Sequence, residues 1–291
     1  MGLEGDKMVR DSFAIFILTH GRPDNVVTLK TILNCGYTGK YYLIIDNEDK
    51  QADKYYENFG KDKVLMFDKL KKSQEFDTID MPYAKRNAVV YARNVCFDFA
   101  KELGLTYFLE LDDDYIEFRQ RYEKEGTLSS RFVLDFDSCC EKTLDFLDES
   151  GALSVAWAQM GDFIGGLGCS MFRDRVTRKC MNSFFCRTDK PFTFIGRINE
   201  DVNTYVLNAS RGNLMLTVAD LALNQVDTQQ NKGGMTDFYL DGGTYIKSFY
   251  SIISNPSSVK IGTMGVTHIR FHHSVDWEHC AVKIISSKFK K

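Results

Sequence analysis

The stretch Tyr107-Phe-Leu-Glu-Leu-Asp-Asp-Asp-Tyr115 constrains this chain more than any other. An apolar run from Leu103 to Leu111 has few interruptions and stops at three consecutive carboxylates, Asp112, Asp113 and Asp114. A buried strand that opens into acidic residues at its C-terminal end is where open α/β sheets place a ligand crevice. Alternation along the strand sends Asp112 and Asp114 to one side and Asp113 to the other. Two carboxylates on one side of a strand end form a hard-oxygen site suited to Mg2+ or Mn2+, with the remaining positions left to water and substrate phosphates. A solvated acidic turn would leave the same signature, so the flanking segments decide between the two.

Those segments alternate. Ser12 to Thr19 reads as a buried strand, followed by the turn His20-Gly-Arg-Pro23 and a helical Val26 to Leu33. Tyr41 to Ile45 is a second strand ending in Asp46-Asn47-Glu48-Asp49, Lys50 to Phe59 a helix, and Val64 to Phe67 a third strand. Such alternation implies right-handed βαβ units and a mainly parallel sheet, a nucleotide-binding type of pattern. After a polar loop, Lys69 to Asp80, a long helix over Tyr83 to Leu103 delivers the chain to the acidic strand end. Beyond Tyr115 the text is less regular. Tyr115 to Arg131 is a charged surface strand or loop, Ser138 to Glu149 an amphipathic helix, and Leu153 to Ala158 a strand. Strands are also expected at Phe192 to Ile195, Leu214 to Val218 and Thr267 to Phe271, with helices at Val202 to Asn208 and Tyr245 to Ile253. The glycine-dense Gly161 to Gly168 fits neither phosphate-loop pattern; its glycines serve a tight turn or a close backbone approach. With no linker or repeat, one integrated domain over residues 1–291 is expected, residues 12–115 forming a nucleotide-binding half and 116–291 an acceptor-binding half.

Composition excludes several classes. The chain is 44% apolar and 26% charged, as soluble globular proteins are. A net charge of −3 gives no global attraction to nucleic acid or anionic membrane, so a DNA partner would need a local basic face. The eight cysteines lack metal-ligand spacing and fit reduced thiols in a cytoplasm. Met1 to Arg10 is charged, and the apolar run Phe13 to Leu18 is too short to span a bilayer, so no membrane partner is expected.

Three segments in order carry a resemblance. YARNVCFDFAKELGLTYFLELDDD resembles the A-R-N, helix, D-x-D stretch of GT-A nucleotide-sugar glycosyltransferases. FILTHGRPDNVVTLKTI looks like their first strand and uridine-facing loop, and GRINEDVNTYVL is similar to their later acidic pair that starts a helix. With INEDVNTYVLNASRG and a C-terminal His, the pattern most resembles the TET-associated type found largely in bacteriophages, thought to add sugars to modified pyrimidines in DNA. The resemblance implies a GT-A, Rossmann-like α/β fold with a mixed, mainly parallel central sheet flanked by helices. It also implies a metal-dependent transferase that uses Mn2+ or Mg2+ and a nucleotide-sugar donor, a UDP-sugar by family habit.

Under that resemblance each residue has an expected role. Asp114 and Asp112 hold a cation that bridges the donor phosphates, stabilising charge on the departing nucleoside diphosphate. Arg93 makes a bidentate contact to phosphate or ribose, and Asp113 faces sugar or ribose. Thr19, Arg22 and Asp46 lie at strand ends where nucleobase and ribose sit. Asp201 is the candidate general base for the acceptor hydroxyl, with Glu200 as sugar contact or alternative base. Acidic residues in a first helical turn also cap and offset the helix dipole, and both roles can hold together. Of the C-terminal histidines, strand alternation makes His268 and His272 the same-face candidates to complete the metal shell. For DNA, the basic stretch with Arg173, Arg175, Arg178, Lys179 and Arg187 would pair phosphates, and Phe172, Phe184 and Phe185 would stack on or wedge at an extruded base. The tail Lys283 to Lys291 is a second basic stretch.

Two other readings stand beside this one. The donor site is compatible with a glycan or protein acceptor. A non-catalytic nucleotide-sugar-binding module would not need both the acidic triplet and the Glu200-Asp201 pair. A sugar nucleotidyltransferase would need a glycine-rich N-terminal phosphate loop that the sequence lacks.

Overall fold

The computed structural model describes residues 10–80, 86–169, 179–225, 246–264 and 269–280. The first apolar run forms strand β1 (Phe13–Leu18), whose six residues are all buried. Such a strand needs cover on both faces, which is why its sequence is continuously apolar rather than alternating. Phe13, Ile15 and Ile17 enter one core cluster, with Leu29, Ile45, Leu109, Phe118, Phe136 and Trp157. Ala14, Phe16 and Leu18 enter the other, with Ile44, Val90, Phe97, Phe108, Val202 and Tyr205.

The chain then runs α1 (Val27–Asn34), β2 (Lys40–Asp46), α2 (Ala52–Phe59), β3 (Val64–Phe67), the short α3 (Lys69–Lys72), α4 (Val90–Glu102) and β4 (Tyr107–Asp112). Next come the hairpin strands β5 (Tyr115–Lys124) and β6 (Thr127–Phe132), α5 (Phe136–Ser150), β7 (Ser154–Gln159), β8 (Ser183–Arg187), α6 (Glu200–Ser210) and β9 (Met215–Gln225). Helix α7 (Ile246–Ser254) and the hairpin β10 (Val259–Met264) and β11 (Arg270–Val275) follow. One nine-stranded sheet, ordered β3-β2-β1-β4-β8-β7-β9-β5-β6, runs through both halves of the sequence, and β10 pairs antiparallel with β11 separately.

Strands β3, β2, β1 and β4 are parallel neighbours, and β8 joins β4 antiparallel. The register sets Leu18 opposite both Ile44 and Asp112. The C-terminal ends of the parallel strands therefore share one edge, where Thr19, Asp46 and the acidic turn collect. This is the α/β mixed sheet that the sequence implied.

Several boundaries differ from expectation. The stretch after Tyr115, expected as a surface strand or loop, is two paired strands joined to the main sheet through β9. Phe192 to Ile195 is not a strand; its place beside β4 is taken by β8, which the sequence hid inside a basic stretch. Strand β9 runs past Val218 to Gln225, and the last strand starts at Arg270 and pairs with β10, which was not foreseen. In the glycine-dense loop, Gly166 sits at φ +63, and a Cβ there would come within 2.9 Å of the Gly126 carbonyl. That glycine serves a close backbone approach to the β5–β6 turn.

Candidate active site

Alternation carries only as far as Asp112, because Asp113 and Asp114 form the turn into β5. The three carboxylates consequently have three different surroundings. Asp113 is buried inward: its Oδ2 accepts from Thr19 Oγ1 at 2.6 Å and its Oδ1 lies 3.2 Å from Arg22 Nη1. Tyr55 completes this bed, its hydroxyl lying 2.8 Å from Thr19 Oγ1 and accepting from the Arg22 backbone N–H. Thr28 straps the turn to α1, donating from Oγ1 to the Asp112 carbonyl at 2.6 Å and accepting from the Tyr115 N–H.

Asp112 shares a strand face with Glu110, and both look toward Arg93. Arg93 Nη2 donates to Asp112 Oδ1 and Oδ2 at 3.0 and 3.2 Å, Nε donates to Glu200 Oε1 at 3.0 Å, and Nη1 lies 3.8 Å from Glu110 Oε2. Tyr115 donates from its hydroxyl to Asp112 Oδ2 at 3.2 Å and contacts the Asn182 carbonyl. Asp114 forms no ion pair among the described residues.

Electrostatics follow this arrangement. Burial, then repulsion from Asp112 and Asp113, pushes the Asp114 carboxyl up to about 7. Burial also pushes Asp113 up to about 6, against the pull of Arg22. Burial resists the charge on Arg93, but Asp112, Glu200 and Glu110 outweigh it and hold the guanidinium cationic. One guanidinium cannot satisfy three carboxylates. Glu110, fully buried and with neither oxygen hydrogen-bonded among the described residues, is pushed up to about 8 by that burial.

At the end of β2, Asp46 accepts on Oδ2 from Lys69 Nζ at 3.1 Å and lies 2.8 Å from His20 Nδ1. Burial raises its pKa, but His20 and Lys69 outweigh burial and hold it below the usual carboxylate range. Asp49 accepts from the Gly21 N–H at 2.6 Å, fixing the loop after β1.

The second acidic pair opens α6. Asn199, at φ +53, precedes it, and its Nδ2 donates to the Lys247 carbonyl and Ser251 Oγ, each at 3.0 Å. It also lies 3.3 Å from His273 Nδ1, which brings α7 and β11 to the start of α6. Gly196, at φ +82, turns the chain into this segment; a Cβ there would come within 2.5 Å of Asn203 Nδ2. Burial raises both Glu200 and Asp201. Asp201 Oδ1 accepts from the Val202 N–H at 2.7 Å, and Oδ2 accepts no hydrogen bond among the described residues.

The structure thus gathers Thr19, Arg22, Asp46, Asp112, Asp113 and Asp114 at one sheet edge and joins them through Arg93 to Glu200 and its neighbour Asp201. Arg93 stands behind the carboxylates, 3% exposed and spent on them, rather than in the open with a free fork. His272 packs against His273, ring centroids 4.2 Å apart, with its Nδ1 buried and unpartnered among the described residues; His268 lies outside them. Among the described residues, no three His, Cys, Asp or Glu side chains converge on one metal position. Arg173, Arg175 and Arg178 also lie outside them, as do Phe172 and the tail Lys283 to Lys291. Lys179 is paired with Asp162 at 2.8 Å, and Arg187 with Asp189 and Asp148. Phe184 and Phe185 are wholly buried core residues, which removes them from any stacking role. Tyr55, Tyr115, Asp49 and His20 were not singled out in the sequence, because a tyrosine or lone acid carries no motif until its neighbour is known.

A family model described as TET-associated glycosyltransferase matches residues 13–234. The chain belongs to that family. Every residue of the TET-associated glycosyltransferase match from Thr19 to Asp201 named above falls inside it, whereas His268 and His272 fall beyond it. No curated protein matches the sequence. Among solved structures, S. aureus TarS is similar at 13% identity and a TM-score of 0.42, covering 82% of this chain and 65% of that one. Glucosyl-3-phosphoglycerate synthase from Mycobacterium tuberculosis, solved with Mn2+, uridine diphosphate and phosphoglyceric acid, is similar at 8% identity and a TM-score of 0.46. It covers 90% of this chain and 86% of that one. The chain accordingly spans just under two thirds of the TarS chain.

Proposed function

We propose that this protein transfers a sugar from a nucleotide donor, a UDP-sugar, to a hydroxyl on a modified pyrimidine in phage DNA, with Mn2+ or Mg2+ as cofactor. The observation that carries the reading is the crowded edge: three carboxylates at the end of β4, one of them without an ion pair among the described residues. Carboxylates crowded together in partial burial suit a divalent cation, which takes oxygen ligands and offsets their mutual repulsion. Asp114 would be the principal protein ligand and Asp112 the second, with donor phosphates filling the positions that the protein leaves. A bound cation would supply neutralisation of the charge growing on the departing nucleoside diphosphate.

The remaining residues have roles derived from their surroundings. Arg22 keeps Nε buried and unpartnered among the described residues, a donor suited to an oxygen of the nucleotide. Thr19, Tyr55 and Asp113 form the floor beneath it. Asp46, held below the usual carboxylate range by His20 and Lys69, accepts from a ribose hydroxyl. Asp201 takes the proton from the acceptor hydroxyl through Oδ2; its raised pKa makes it a stronger base near neutrality. The DNA acceptor rests on family membership and on the basic stretch Arg173 to Arg178.

One experiment tests the reading as a whole. The protein is incubated with Mn2+, a panel of nucleotide sugars and hydroxymethylated DNA, and the digested nucleosides are weighed by mass spectrometry. One sugar added to the modified pyrimidine is expected. Donor hydrolysis without nucleoside modification would overturn the DNA acceptor, and no consumption of any donor would overturn the transferase.

A further inference from the structure

We infer that Arg93 is a positioning residue that joins the donor carboxylates to the acceptor-side acid pair, so that neither half of the site is set without the other. The inference rests on the reading of Asp112 as a donor-side residue and Glu200 as an acceptor-side one. Arg93 comes from α4, Asp112 from the end of β4 and Glu200 from the start of α6, residues 19 and 107 positions from it in sequence. Its guanidinium reaches both at once, through Nε to Glu200 and Nη2 to Asp112. It has little freedom to choose otherwise. Its carbon Cζ lies 5.1 Å from the Phe184 ring centroid and 5.9 Å from that of Phe194, so the planar fork is held by two core rings.

The neighbouring residue repeats the link. Asn94 Nδ2 donates to the Phe194 carbonyl at 2.9 Å, and the Phe194 N–H donates to Asn94 Oδ1 at 2.8 Å. Consecutive residues of α4 therefore fix the segment that leads into α6, one by its backbone and one by its first carboxylate. A salt bridge serving stability alone would need one carboxylate. A fork divided between two carboxylates from different elements fixes their relative position, which a single ammonium cannot do.

The consequence is energetic coupling between the two halves. Neutralising Glu200 removes one of the two carboxylates that share the fixed fork and leaves its charge to Asp112, so an acceptor-side change reaches the donor side. The test uses calorimetric Kd for UDP in the presence of Mn2+ together with the rate of UDP-glucose hydrolysis. Glu200→Gln is expected to raise the Mn2+-dependent Kd for UDP about fivefold when Arg93 is present, and less than about twofold in an Arg93→Lys background. Arg93→Lys alone is expected to lower hydrolysis by about tenfold per folded molecule, because the lysine keeps the charge but not the two-way geometry.

Should the lysine variant not fold, Arg93→Met with Glu110→Met, which removes the guanidinium together with the buried carboxylate 3.8 Å from it, is read in the same way. Equal effects of Glu200→Gln with and without Arg93, or an Arg93→Lys protein whose hydrolysis follows only its folded fraction, would overturn the inference. A wild-type protein that does not bind UDP with Mn2+ would instead overturn the donor-site reading on which it rests.

Discussion

What a carboxylate can do depends on what already holds it. Asp112 is held by Arg93 and Tyr115, Asp113 by Arg22 and Thr19, and Asp114 by neither kind of partner among the described residues. Identical residues in a row thus have unlike tasks. Asp201 has one oxygen committed to the Val202 N–H and the other open. Removing its basicity by Asp201→Asn should lower kcat about 100-fold or more while changing the Kd for Mn2+–UDP less than about twofold, measured by steady-state kinetics and calorimetry. Asp46 illustrates the opposite case, a carboxylate whose folded pKa is depressed by His20 and Lys69. Its stabilisation is complete above the unfolded pKa near 3.8 and lost as pH falls through the lower folded value. Asp46→Asn leaves the buried Lys69 ammonium unpaired and should cost about 3 kcal/mol at neutral pH. Denaturation followed from pH 7 downward should show that gap closing below about pH 4 as the wild-type carboxylate protonates.

At the scale of elements, the site is a meeting of β4, α4 and α6. Asn94 holds the approach to α6 by two buried hydrogen bonds to the backbone of one residue, Phe194. Asn94→Ala should destabilise the protein by about 1–3 kcal/mol, since both backbone partners are left unpaired. Turnover of the folded fraction should fall more than donor affinity does, because α6 carries Asp201; kinetics against thermal denaturation separates the two. The elements on the donor side were legible in the sequence. Continuous apolar runs ending in polar clusters mark buried parallel strands, and β1 to β4 fall within a residue or two of where those runs end. The acceptor side was less legible for a physical reason. Strand β8, Ser183–Arg187, has a short apolar centre framed by basic residues, and its strand character comes from pairing with β4 and β7 rather than from its own pattern. Arg93 was visible as a motif residue, but its burial was not, because only the fold brings Glu110, Asp112 and Glu200 around it.

For the molecule as a whole, charge sets the terms on which DNA could be engaged. A net charge of −3 leaves attraction to a local face, and the described part of the basic stretch is already paired, Lys179 with Asp162 and Arg187 with Asp148 and Asp189. Under the proposed DNA acceptor, the phosphate contacts then fall to Arg173, Arg175 and Arg178 or to the tail Lys283 to Lys291. Arg175→Glu with Arg178→Glu should abolish activity on DNA, spare UDP-sugar hydrolysis, and flatten the salt dependence of DNA binding by fluorescence anisotropy. The donor half does not depend on that face. The proposed donor site stands first on Asp114 and a divalent cation. Its most direct test is calorimetric titration of UDP, with and without Mn2+, into the wild-type protein and Asp114→Ala. Binding that requires Mn2+ in the wild type and disappears in the variant is the expected result; an Asp114→Ala protein that keeps the metal-dependent affinity would contradict it.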